Sequence, residues 1–311
     1  MKKIDLSIII LSYNTKELLE RCLESIINGL KDSKINGLTE VIVVDNGSSD
    51  GSDVYINELT KLRIKGLSIK IILNKQNLGF AAGNNKGIKE ANGRYILFLN
   101  SDTEIYPGSL KETIKFMDDN PEVGALSAKT LLTSGEMDPD CHRGFPTPWA
   151  SISFFLGLEK LFPKSRIFGQ YHQGFLNLDE NHEIDAGAGA FMMIRKEIIE
   201  KVGVWDEKYF FYGEDLDFFY RIKKAGYKIM FYAKPVLIHY KGGSSGIRKE
   251  SKNISPASRE TRLRVAKESI KAMEIFYNKF YKELYPAWLT FLVLLGIRLK
   301  GWGRYLKQYF R

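Results

Sequence analysis

Residues 40–51 read EVIVVDNGSSDG, a β-branched apolar run that stops at Asp45 and gives way to a cluster of Asn, Gly, Ser and Asp. Val41 to Val44 lack the polar alternation of a half-exposed strand, so they describe a strand covered on both faces; the Asn46–Gly51 cluster is a turn, after which a helix begins. The flanks repeat this pattern. Leu6–Ser12 (LSIIILS) is another buried strand, followed by Lys16–Leu30, where Leu18, Leu19, Cys22, Leu23, Ile26 and Ile27 recur at the helical period. Leu67–Leu73 reads as a strand, Ala81–Ala91 as a helix closed by Asn92-Gly93, and Tyr95–Leu99 (YILFL) as a strand running into Asn100-Ser101-Asp102. Strands alternating with helices predict an α/β fold with a mainly parallel sheet and helices on both faces. Ligands of such sheets gather at the carboxyl ends of the strands. Here those ends carry Ser12-Tyr13-Asn14, Asp45-Asn46 and Asn100-Ser101-Asp102.

The second half is less regular. Ser134–Ile184 contains Pro139, Pro146, Pro148 and Pro163 and many aromatics, and reads as an inserted acceptor-side region without regular structure. Asp185–Ile194 (DAGAGAFMMI) is strand-like, Asp215–Lys224 is a helix stopped by Gly226, and Tyr227–Tyr232 and Val236–His239 are two further short strands. Lys241–Ser258 has the Gly/Ser/Lys composition of a mobile loop. A charged helix, Arg259–Tyr277, and an aromatic, basic end follow. The expected organisation is a catalytic domain over 1–258, divided into a nucleotide half (1–133) and an acceptor half (134–258), with a helical basic segment over 259–311.

Of the 311 residues, 44% are hydrophobic and 27% charged, a globular balance that excludes collagen-like, disordered and multi-span membrane classes. The apolar run Ala287–Ile297 is too short to cross a bilayer. Lys2-Lys3 before Ile8-Ile9-Ile10-Leu11 does not make a signal peptide, because Ser12-Tyr13-Asn14 interrupts it and no small-residue cleavage site follows. Two cysteines, Cys22 and Cys141, provide neither a disulfide framework nor metal spacing, so a reducing cytosol is expected. Charge is uneven. Residues 241–311 hold 16 Lys/Arg against 5 Asp/Glu, which puts the whole net charge of +9 in the tail. Nucleic acid or an anionic membrane would suit such a tail.

Asp45 can accept hydrogen bonds from a nucleobase or ribose, or form an Asx-turn or helix cap. The small residues of Asn77–Asn85 (NLGFAAGNN) let backbone approach a ligand, at a spacing that fits neither the dinucleotide fingerprint nor the P-loop. Asp102 suits a cation bridging substrate phosphates, which needs one or two protein carboxylates, and His239 can add an imidazole or serve structurally. Gly213-Glu214-Asp215-Leu216-Asp217 puts three carboxylates at a helix start, where they compensate the dipole, pair with Arg221, or supply a general base.

In chain order, SIIILSYN, VVDNGSSDGS, NLGFAAGNNKG, FLNSD, GAGAFMMIR, FYGEDLDFFYRIKKAGY and IHYKGGSS resemble the inverting family 2 glycosyltransferases of the GT-A fold, most nearly the bacterial rhamnosyltransferase-like enzymes of cell-surface polysaccharide assembly. The resemblance covers roughly residues 4 to 246. It implies a nucleoside-diphosphate sugar donor, with rhamnose the first expectation, and a glycan or lipid-linked acceptor. Asp45 would recognise the base, Asp102 would hold a Mg²⁺ or Mn²⁺ ion on the diphosphate with His239 assisting, and Asp215 would be the catalytic base. Ser12, Tyr13, Asn14, Asn77, Gly79, Asn84 and Ser101 are expected around the donor, and Arg143 and Trp149 on the acceptor side. The family's acidic Asp-x-Asp motif has Asn100 in its first position here.

Two other classes compete with this reading. A sugar nucleotidyltransferase would need a basic, Gly-rich N-terminal signature, which LSYNTKELLERC lacks. A nucleic-acid-binding protein would use the basic tail, yet no zinc, RRM or zipper signature is present. The tail's bases alternate with Trp288, Phe291, Trp302, Tyr305, Tyr309 and Phe310, which suits an anionic bilayer surface better. The expected place is therefore cytoplasmic, peripheral on the inner face of the membrane, with no nucleic-acid partner.

Overall fold

The computed structural model describes residues 4–32, 38–59, 66–242 and 258–310. The loop expected over Lys241–Ser258 lies almost wholly outside them. Strands β1 (Ile4–Ser12), β2 (Leu38–Asp45), β3 (Leu67–Leu73) and β4 (Tyr95–Asn100) alternate with helices α1 (Lys16–Asp32), α2 (Ser52–Leu59) and α3 (Phe80–Glu90). They pair in parallel in the order β3-β2-β1-β4, with Ser12 beside Asp45 and Leu11 beside Asn100 in register. This half follows the sequence expectation.

Beyond β4 the sheet is mixed. β5 (Thr103–Ile105), α4 (Ser109–Asp119) and β6 (Val123–Leu132) come next. After a 3₁₀ turn at Pro139–Cys141 the chain forms α5 (Pro148–Phe155), α6 (Leu158–Leu161) and β7 (His182–Glu183). Then follow β8 (Phe191–Arg195), α7 (Lys196–Val202), α8 (Glu214–Lys224), β9 (Lys228–His239), α9 (Arg259–Phe280) and α10 (Ala287–Tyr309). β8 runs antiparallel between β4 and β6, β9 lies parallel to β6, and β5 and β7 pair antiparallel with β9.

The sheet is mainly parallel, as expected, and β6–β9 adds a parallel pair to β3-β2-β1-β4; the antiparallel members are the short β5 and β7, and β8, which enters after a long insertion and needs no crossover helix. Other expectations change. The strand expected over Asp185–Ile194 begins at Phe191, since Gly187 and Gly189 precede it at close contacts with Ser127 and Phe80. The two short strands of 227–239 are one, β9, which runs through Pro235 with register shifts against Ala128–Thr130. The insertion carries two helices; Thr147 caps α5 by accepting from the Ala150 amide, and Pro148 sits in its first turn.

Two apolar layers sandwich the sheet. Leu6, Ile8 and Ile10 of β1 face Leu19, Cys22 and Leu23 of α1, while Ile9 faces the other side with Phe98, Trp205 and Phe218. Helix α3 sits unusually close to β1: a Cβ on Gly87 would stand 2.5 Å from Ile9, and one on Gly83 2.5 Å from Leu11. α9 docks on α8 through Tyr220, Phe276, Phe280 and Tyr281, and α10 packs on α9, where Gly301 admits Ile270.

Candidate active site

The ends of β1, β2 and β4 bring the expected donor residues to one edge. Asp45 is 3% exposed. Its Oδ2 accepts from the amide of Ser48, three residues on, at 3.1 Å and so holds the turn, while Oδ1 is buried with no hydrogen-bond partner among the described residues. The turn reading of this residue therefore accounts for one of its two oxygens. Beside it, Asn14 adopts φ 52° and accepts from the Ser49 amide, and Tyr13 stands out from the edge, 40% exposed. Ser12, Thr15 and Ser101 form a buried hydroxyl chain with 2.9 Å links that ties β1 to the end of β4.

Asn46 fixes the neighbouring loop. Its Nδ2 donates to Asn77 Oδ1 and the Gly79 carbonyl, and its Oδ1 accepts from Asn74 and the Leu78 amide. Gly79 has φ 88° and lies against Phe210, so its missing side chain admits that residue's carbonyl. Asn84 is buried and donates to the Phe80 carbonyl within α3. Gly83 and Gly87 in the same run serve the close packing of α3 on β1 described above.

Asp102 and His239 meet across the β5–β9 pairing. His239 Nε2 lies 3.3 Å from Asp102 Oδ1, and its Nδ1 lies 3.0 Å from Asp138 Oδ2. Burial works against a charged imidazole here, but the Asp102 and Asp138 carboxylates outweigh it and hold His239 up at about 9. Asp138 is likewise buried, yet hydrogen bonding to His239 and the charge of Lys241 pull it well below the usual carboxylate range. Lys241 also pairs with Asp140. Among the described residues no group of three or more His, Cys, Asp or Glu side chains is arranged to hold a metal. The buried Asp102 carboxylate matches the donor set for a cation that takes its remaining ligands from phosphate oxygens and water, and His239 would join it only as the neutral imidazole, after losing the proton that Asp102 and Asp138 favour. Asn100, as an amide, adds no charge to that set.

Asp215 opens α8, whose N-cap Gly213 has φ 81° and lies against Tyr209 and Ala272. Its carboxylate accepts from Arg143 Nη2 at 2.6 Å, and Oδ1 accepts from the Leu216 amide. Arg143 is buried and also donates to the Gly187 carbonyl. Glu214 is buried with Oε2 unpartnered among the described residues; burial and the neighbouring Asp215 charge push it up to about 8. Asp217 is wholly buried between Arg221 (2.7 Å) and Lys279 of α9 (2.6 Å), so it is a latch between helices. Trp149 lies on α5 and donates through Nε1 to the Ile167 carbonyl.

Sequence reasoning named Arg143 on the acceptor side, where it pairs with Asp215, but missed Asp138 and Asp140 at the other end of the same segment, which pair with His239 and Lys241. Asp138 and Asp140 flank Pro139 in a stretch read as irregular, and nothing in that spacing points to partners a hundred residues away. Asn46 was legible only as a turn residue.

Three similarities to known proteins bear on this geometry. The chain is 29% identical over 229 residues to the low-salt glycan biosynthesis hexosyltransferase Agl10 of Haloferax volcanii, covering 72% of this chain and 64% of that one. It is 23% identical over 252 residues to the N-acetylglucosaminyl-diphospho-decaprenol L-rhamnosyltransferase of Mycobacterium tuberculosis, covering 78% of each. The chain spans less than two thirds of the length of the first curated relatives it matches. Among solved structures, the mannosyltransferase PcManGT of Pyrobaculum calidifontis, in complex with GDP-Man and Mn²⁺, superposes with TM-score 0.55 at 17% identity over 89% of this chain and 65% of its own. The shared architecture is the GT-A fold. The description Glycosyl transferase family 2 matches residues 7–203, the stretch that contains the whole donor-side edge, and the chain belongs to that family.

Proposed function

We propose that the protein transfers a sugar, with rhamnose the first expectation, from a nucleoside-diphosphate sugar to a hydroxyl of a glycan or lipid-linked acceptor, with inversion, in cell-surface polysaccharide assembly. The arrangement that supports this reading is the polar edge of the parallel strands, where Asp45 Oδ1 is buried and has no hydrogen-bond partner among the described residues, together with a separate helix start that carries Asp215. Asp45 accepts a hydrogen bond from the base or ribose, and Tyr13, Asn14, Asn77 and Ser101 shape the surrounding surface. Asp215 takes the proton of the attacking hydroxyl, while Arg143 and the Leu216 amide fix the carboxylate. Attack from the side opposite the departing diphosphate inverts the anomeric centre. Asp102 and His239 would hold a Mg²⁺ or Mn²⁺ ion, which when bound neutralises charge on the diphosphate.

The relatives support the sugar chemistry in their own names: one is a hexosyltransferase of glycan biosynthesis and one an L-rhamnosyltransferase. The catalytic unit is 1–258, with the basic segment 259–311 holding it at the inner face of the cell membrane. No helix of the described residues is long and apolar enough to cross a membrane. The test is to incubate the protein with a panel of nucleoside-diphosphate sugars, with Mg²⁺ or Mn²⁺, and follow nucleoside diphosphate release and the anomeric configuration of any product by NMR. Release from one donor with an inverted product supports the reading. No release from any donor, or retention, overturns it.

A further inference from the structure

Most of the exposed large apolar side chains among the described residues collect in two places. One is the insertion, where Ile152, Phe154, Phe155, Leu156, Leu161 and Phe162 stand out along α5 and α6. The other is α10, where Trp288, Phe291, Leu292, Leu295, Leu299 and Trp302 are exposed at the helical spacing of a single stripe. The two meet: Lys300 of α10 lies over the rings of Phe154 and Phe155. They form one surface built from parts of the chain more than a hundred residues apart. Apolar patches of this kind on a globular protein mark a docking face.

The charge of this surface selects its occupant. Residues 147–168 and 287–309 together contain seven Lys and Arg and one acid, Glu159. That acid is buried and accepts from the backbone and ring of His172, so it does not offset the bases outside. Arg298 is paired with Glu274 of the neighbouring α9, which leaves six bases and no exposed acid on the two segments themselves, a composition that suits the interface of an anionic bilayer.

The surface also connects to Asp215. Arg143, paired with Asp215, reaches the side chain of Tyr171, whose ring packs on Phe154. The contacts run from Asp215 through Arg143, Tyr171 and Phe154 to Phe155 and α10.

We propose that α5, α6 and α10 form a single docking face for an anionic lipid bilayer, and that it sets the Asp215 end of the cleft at the bilayer surface to meet an acceptor carried on a lipid. The proposal rests on the transferase reading for the acceptor alone; the docking face is testable without it. The basic tail by itself would make α10 sufficient for docking, whereas this geometry makes the insertion equally necessary.

The experiment is flotation of the full-length protein with phosphatidylcholine vesicles, with and without phosphatidylglycerol, at low and high salt. Three proteins are compared: the wild type, L156E/L161E in the insertion, and F291E/L295E in α10. Melting curves establish that each is folded. Wild type should float with the anionic vesicles and release as salt rises. Each double variant should lose about tenfold or more in vesicle-bound fraction, the scale expected when buried apolar groups become charged at an interface. Donor hydrolysis, followed in parallel without vesicles, should be the same in all three. If L156E/L161E floats like wild type, the insertion is outside the docking face and the proposal is overturned. It is overturned too if wild type binds neutral and anionic vesicles equally, or binds neither and self-associates through this face in sedimentation. Failure of donor hydrolysis in every protein, with flotation as expected, removes the transferase reading and leaves the docking face standing.

Discussion

The Arg143 guanidinium donates to the Asp215 carboxylate across 2.6 Å, with the two side chains 8% and 17% exposed. A carboxylate fixed in this way has its lone pairs aimed before any substrate arrives, and the pair ties the insertion to the start of α8. Asp215→Asn keeps the size and most of the hydrogen bonding. It should retain donor binding and lower turnover by roughly 10²- to 10⁴-fold, the range for losing a general base. Near-normal nucleoside diphosphate release with acceptor would rule Asp215 out as the base. Arg143→Ala leaves a carboxylate without its cation and should cost about 3 kcal/mol or more of stability in urea unfolding.

Asp45 offers a contrasting test, because one of its carboxylate oxygens is buried with no hydrogen-bond partner among the described residues. Asp45→Ala should weaken nucleoside diphosphate binding by about tenfold or more, from loss of one hydrogen bond to a charged acceptor. Calorimetric titration reads this directly. Unchanged affinity would mean that Asp45 only shapes its turn.

Metal dependence follows from Asp102 and His239. Excess chelator should abolish transfer, and Mn²⁺ or Mg²⁺ should restore it. Asp102→Ala should erase the difference in nucleoside diphosphate affinity between metal-containing and metal-free buffer. Full activity in chelator would leave Asp102 and His239 as a purely structural pair.

Stability should depend on pH at both ends. Glu214 is pushed up to about 8 from a usual 4.5, so between these values the folded protein holds a proton that the unfolded chain has released, and stability falls as pH rises. Burial pushes His142 down to about 4 from 6.5, so stability also falls as pH drops through that window. From these two groups, melting temperatures should therefore be highest on a plateau between about pH 4.5 and 6.5, where the opposed slopes cancel, and fall on either side of it. Glu214→Gln should flatten the alkaline side and His142→Gln the acid side; a variant whose profile matches wild type would acquit its residue.

The parallel half of the fold is legible because β1, β2 and β4 are uninterrupted apolar runs that end in polar turns, and burial on both faces leaves no other solution for such runs. The mixed half is not. β5 has three residues, too few for a period, and β6 (VGALSAKTLL) mixes Gly, Ser and Lys with apolar residues, so its place between β8 and β9 is decided by partners far away in the chain. Among candidate site residues, Asp45 and Asp215 stand at strand and helix termini, where local pattern already isolates them. The pairing of His239 with Asp138 depends on tertiary contact across a hundred residues, and Asp217, equally conspicuous in the sequence, is spent on Lys279.

The six residues from Asp138 to Arg143 act as a splint. One end is bonded to His239 and Lys241, and the other to Asp215. The insertion of which they are part is therefore not an interchangeable cassette for acceptor choice. A chimera that swaps residues 134–184 for another acceptor region strands Lys241 on one flank and Asp215 on the other, and leaves His239 with Asp102 alone, unless the donor segment brings its own acids and its own guanidinium in the same register. Redesign of acceptor specificity in this protein has to begin after Arg143.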